Sequence, residues 1–143
     1  MPGEQNGLDE RDEQLRTGGD VRLVVPAAPE YLRLVRLTAA GLASRLGFTF
    51  DEVEDLRIAV DELCFHLLGE DDVIPPDEGR TMDLVYSAAA DSITITGRTA
   101  LSGAIPQQSE LSEQILDALV DEHEVSGGTN GMVTFRLMKQ RES

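Results

Sequence analysis

Between residues 51 and 68 the chain reads DEVEDLRIAVDELCFHLL, with Val53, Leu56, Val60, Leu63 and Leu67 recurring at alternating steps of three and four. That period lines one stripe of a helix packed on a core. Thr49 with Glu52 three residues later reads as a capping box, and Phe48 with Val53 as the hydrophobic staple around it. A second stripe, Asp55, Ala59, Glu62 and His66, follows the same period about a quarter-turn away. A carboxylate and an imidazole one turn apart, beside a small residue, suit the wall of a pocket. They suit a solvated pair equally well, and such pairs contribute only about 0.2–0.5 kcal/mol.

The flanking pattern predicts the other elements. Asp20 to Pro26 is a β-rich run and reads as a first strand at a sheet edge. Pro29 to Leu46 reads as a helix with Leu32, Val35, Ala39, Leu42 and Leu46 inward and Gly47 as its stop. An acidic loop from Gly69 to Gly79 carries two prolines. Arg80 to Ser87 and Ser92 to Arg98 are β-type runs joined as a hairpin. After a loop from Thr99 to Gln108, Ser109 caps a third helix, Glu110 to Asp121, with Leu111, Ile115, Leu116, Leu119 and Val120 apolar. His123 to Ser126 and Met132 to Lys139 form a second hairpin, for which Asn130-Gly131 is a two-residue turn signal. This order predicts an α+β two-layer sandwich, a mixed, mostly antiparallel sheet with helices on one face.

Composition narrows the picture. At 143 residues the chain is expected to be one domain, residues 20–140, behind an acidic tail at 1–19 that is too polar to order itself. There is no apolar run long enough to span a bilayer and no leader-like start, so the expected location is the cytoplasm, away from membranes. The single Cys64 excludes a disulfide framework and a multi-cysteine zinc site, and no metal ligand set stands out. A net charge of −15 disfavours direct contact with nucleic acid and favours a basic protein partner. Against that background Arg33 and Arg36, on one short helix, are notable, although surface arginines pairing with Glu30 or another acid are the default reading.

Three stretches together resemble the GHKL (Bergerat) ATPase fold, and within it the anti-sigma factors of the RsbW and SpoIIAB serine-kinase type. PEYLRLVRLTAAGLA is similar to that family's first helix, with Arg36 at its characteristic arginine. DEVEDLRIAVDELCFHLL is similar to the N-box helix, in which a glutamate precedes an asparagine by four residues. ILDALVDEHEV followed by GMVTFRLMK is similar to the closing helix and hairpin. The resemblance covers about residues 20–140 and implies Glu62 as the base of a phosphoryl transfer, with His66 where the magnesium-holding asparagine would stand. Imidazole is a poor ligand for that hard ion. The second nucleotide motif, D-x-G-x-G, is replaced by ITITGRTALSGAIP, which holds Gly97 and Arg98 but no acid. The third, a glycine loop, is replaced by PQQSELSEQ, with Glu110 and Glu113.

The resemblance therefore implies a regulator that sequesters a sigma factor through Arg36 and Arg33, with a degenerate nucleotide site, and is released by an anti-anti-sigma protein of the STAS type. The alternative it carries is an active serine/threonine kinase using Mg-ATP, with Glu62 and His66 at the nucleotide. It also implies a homodimer. A third reading, an unrelated enzyme using Glu62 and His66 as an acid–base pair, lacks any accompanying nucleophile motif.

Overall fold

A computed structural model of the chain describes residues 19–68, 79–100, 108–127 and 131–142, with only the backbone of His66. The expected acidic tail up to residue 18, most of the proline-bearing loop, the loop at 101–107 and Asn130 lie outside the described residues.

The strands are β1 (Gly19–Pro26), β2 (Thr81–Ala88), β3 (Ser92–Ala100), β4 (Glu122–Gly127) and β5 (Met132–Gln140), and the helices are α1 (Leu32–Arg45), α2 (Phe50–Leu68) and α3 (Glu110–Leu119). The strands pair in the order β1-β2-β3-β5-β4, which places β1 at an edge as its sequence predicts. Every pairing is antiparallel, so the mixed sheet of the expectation resolves to an antiparallel one. Alternation along β2, β3 and β5 buries one side, where Met82, Leu84, Tyr86, Ile93, Ile95, Val133, Phe135 and Leu137 meet the helices.

The α2 stripe is buried as its period requires, with Ala59 and Cys64 added to it. Burial pushes the Cys64 thiol up, well above the range in which it is reactive. The α1–α2 corner is built from two local motifs back to back. The Phe48 and Gly47 amides donate to the Ala43 and Ser44 carbonyls, each at 3.1 Å, and Gly47 has φ +84°, a Schellman stop. Thr49 then opens α2: its amide donates to Glu52 Oε1 at 2.8 Å, and the Glu52 amide donates back to Thr49 Oγ1 at 3.2 Å. Inside the sandwich, the Tyr86 hydroxyl donates to the Val35 carbonyl at 3.0 Å and ties β2 to α1.

Three expectations shift. The helix over 29–46 starts as a 3-10 turn, Pro29–Tyr31, before α1 proper. The third helix stops at Leu119 because Val120 is extended, and of its apolar residues Leu111 is exposed at the first turn. The β4–β5 register pairs Gly127 with Val133 and Glu122 with Met138. That leaves an odd number of residues between paired positions, which a two-residue Asn130-Gly131 turn cannot give. Gly131 keeps φ +71°, the left-handed position that longer hairpin loops need.

Candidate functional site

Helix α2 runs between two flanks. On one side lies α1, and the Arg36 Nη1 atom is 3.7 Å from Asp61 Oδ1 across the seam. On the other flank lies the stripe Asp55, Ala59, Glu62 and His66, with α3 packed alongside. Ala59 is fully buried, and Asp55 and Glu62 are half-buried. Asp55 stands 3.9 Å from Lys139 Nζ, which donates to the last carbonyl of α3, that of Leu119, at 2.7 Å. The backbone thus places Glu62 and His66 on one stripe beside a small buried residue, as predicted, while the His66 side chain lies outside the described residues. Arg36 and Arg33 belong to the opposite side of α2 and are not brought to Glu62. Arg33 is exposed and Arg36 half-exposed.

The C-terminal half of α2 points to one end of the sandwich. There β1, β3 and β4 end, β2 and β5 begin, and α3 starts. The sequence reading missed Arg80 at this end. Its Nη2 donates to the Leu68 carbonyl at 3.2 Å and so satisfies the C-terminus of α2, while its buried Nη1 has no partner. A basic residue ten or so positions beyond a helix stop is too weak a pattern to find it from sequence.

Whether this end suits Mg-ATP can be tested on three described features. Gly97 faces inward, and a Cβ there would lie 2.6 Å from the Phe135 ring across the register, so this glycine is packed into the core. Arg98 points to the other side of the sheet. There it stands 3.7 Å from Asp83, which Arg22 also grips, with Nε donating at 3.0 Å. That grip holds the Asp83 carboxyl below the usual carboxylate range. At the start of α3 the Ser109 hydroxyl accepts from the Ser112 amide at 3.0 Å, and Glu110 and Glu113 add negative charge. The helix end is closed by its own chain and repels phosphate. Among the described residues, no acid stands beside Gly97, and the start of α3 carries two glutamates.

An open cleft of about 530 Å³ lies at the far end of the sandwich, between the end of α3 and the end of β5, and is lined among others by Asp117, Asp121, Lys139 and Arg141. It holds none of the residues singled out by sequence. No helix among the described residues is long and apolar enough to cross a membrane.

No family model matches the chain. Among curated proteins it is similar to the serine-protein kinase RsbW of Bacillus subtilis, 57% identical over 44 residues, 31% of this chain and 28% of that one. It is 40% identical to RsbW of Halalkalibacterium halodurans over 75 residues, 52% of this chain and 44% of that one. These matches span less than half of either relative. With RsbW of Bacillus pumilus the similarity runs nearly end to end, 29% identical over 85% of this chain and 87% of the relative. Among solved structures, one of the RsbU and RsbW domains of a Mycobacterium tuberculosis protein superposes with a TM-score of 0.63 at 15% identity, covering 85% of this chain and 32% of that one, which shows the shared fold. Along its length the chain is thus similar to RsbW proteins, and it shares the α+β sandwich of the solved RsbW-containing structure.

Proposed function

We propose that this chain acts as an anti-sigma factor, capturing a sigma factor by protein–protein contact and giving it up to an anti-anti-sigma protein of the STAS type. The similarity to RsbW over most of both chains carries the reading. The outward face of α1 supports it: Arg33 and Arg36 stand there with the exposed Leu34 and Leu37. Arginine suits such a contact because its planar fork pairs two-to-two with a carboxylate. The chain's charge of −15 complements the basic, DNA-binding parts of a sigma factor.

The test is a titration of the purified protein against the sigma factors of its source organism. Arg36→Ala or Arg36→Glu should weaken capture by about 1 kcal/mol or more, the level at which an interface residue counts as a main contributor. Unchanged affinity would remove Arg36 from the interface. Light scattering in the same experiment reports whether the free protein is a homodimer.

A second reading is kept because the relatives are named serine-protein kinases and Glu62 lies half-buried at the N-box position. In it, the chain phosphorylates its anti-anti-sigma partner with Mg-ATP. Phosphate transfer from labelled ATP that vanishes in Glu62→Ala would establish this activity. Absence of saturable Mg-ATP or Mg-ADP binding by calorimetry would leave the sequestering protein alone.

A further inference from the structure

We infer that α2, and not α1 alone, forms the partner surface, and that its occupant is an amphipathic helix of a basic partner protein, laid with its basic flank over α2. This rests on the sequestering reading above. The observation behind it is apolar surface that the described residues leave uncovered. Leu37 on α1 is 54% exposed, and Ile58 and Phe65 on α2 are 50% and 57% exposed. Ile58 and Phe65 are seven residues apart, so they share the outward stripe of α2, opposite the buried stripe of Leu56, Val60, Leu63 and Leu67. The Arg36–Asp61 pair joins the two helices beside this stripe, so the α1 and α2 faces are continuous. Two parallel ridges of side chains are the surface onto which a third helix packs.

Charge selects the occupant. Within α1 the ionisable residues are Arg33, Arg36 and Arg45, with no acid. Around Ile58 and Phe65, by contrast, α2 presents Asp51, Glu54, Asp61 and Glu62, and its single Arg57 is held by Glu54 at 2.6 Å. A partner helix with apolar residues along its centre and Lys or Arg on the side over α2 meets both conditions. A second copy of this chain would set its own acidic α2 flank against this one, which disfavours this face, though not another, as the seam of a dimer.

The probe is a synthetic helical peptide with a leucine face and a lysine flank, measured by fluorescence anisotropy. It is compared with a scrambled peptide of the same composition and with a glutamate-flanked version. The expected result is saturable binding of the lysine-flanked helix alone, weakened roughly tenfold or more by Ile58→Ser or Phe65→Ser, an interface-anchor effect. Both side chains are exposed, so the variants should keep the parent's melting temperature. Equal binding of the scrambled peptide, or binding indifferent to both substitutions, overturns the inference. So does a homodimer that either substitution dissociates, since the occupant would then be a second copy. In parallel, sigma-factor capture that depends on Arg36 but ignores Ile58 and Phe65 overturns the inference and leaves the anti-sigma reading intact. Peptide binding through Phe65 with no sigma factor captured supports the surface and removes a sigma factor as its partner.

Discussion

Gly97 on β3 faces Phe135 on β5 in the sheet register, and the ring fills the space a side chain would take, with Cε2 2.6 Å and Cζ 2.8 Å from an added Cβ. The backbone is ordinary there, so crowding alone demands glycine. Gly97→Ala should destabilise by about 1–3 kcal/mol, as overpacking of a filled core does. In a double-mutant cycle with Phe135→Leu, the combined loss by denaturant melting should be well below the sum of the single losses, since the smaller side chain makes room. Additive losses would mean the ring is not what excludes the Cβ. The same residue marks a limit of sequence reading. A glycine in ITITGR reads by resemblance as the remnant of a nucleotide motif, and only the cross-strand register shows it packed against an aromatic ring. Glu62 was legible because helical period alone puts it beside Ala59. Arg80 was not, because its carbonyl partner comes from the far side of a loop.

Among the elements, α2 was the most legible, and its start shows why. The capping box joins residues three apart, so sequence contains both partners. The next contact is invisible at that range: Glu52 Oε2 also accepts from the Glu142 amide at 2.8 Å, across a separation of 90 residues. Beside it Arg141 donates from Nη1 to the Leu46 carbonyl at 2.8 Å and from its amide to the Asp91 carbonyl at 2.6 Å. The chain after β5 thereby straps the α1–α2 corner. The Glu142 amide, followed by Thr49, holds the Glu52 carboxyl below its ordinary value of 4.5. A carboxyl lowered on folding stabilises above that ordinary value and loses its contribution as pH falls through the lowered one. Glu52→Gln should therefore melt below the parent at pH 7, with the gap closing as the pH drops below 4.5. Asp83 is lowered in the same direction by Arg22, so the parent's own acid curve mixes both, and only the difference between parent and variant isolates Glu52. A gap constant from pH 7 down to pH 3 would show that the substitution acts through packing and not through the charge.

For the whole molecule, the order of elements and the helical layer follow from local periods, whereas the lateral order β1-β2-β3-β5-β4 depends on which strands meet after long connections. Net charge is the one whole-molecule property fully written in the sequence, and it leads to a kinetic expectation. A protein of charge −15 attracts a basic partner before any contact forms, and that field is screened within about 8 Å at physiological salt. The contacts proposed at Arg36 and Phe65 would act after encounter and set how long the complex lasts. Raising salt from about 0.05 to about 0.5 M should therefore slow association with the sigma factor by roughly tenfold or more and change dissociation much less. Arg36→Glu should do the reverse, speeding dissociation while leaving the salt slope of association nearly as it was, because one residue alters little of so large a field. Stopped-flow measurement of both rates separates these cases. Association that is indifferent to salt would mean that the acidic surface maintains solubility and plays no part in finding the partner.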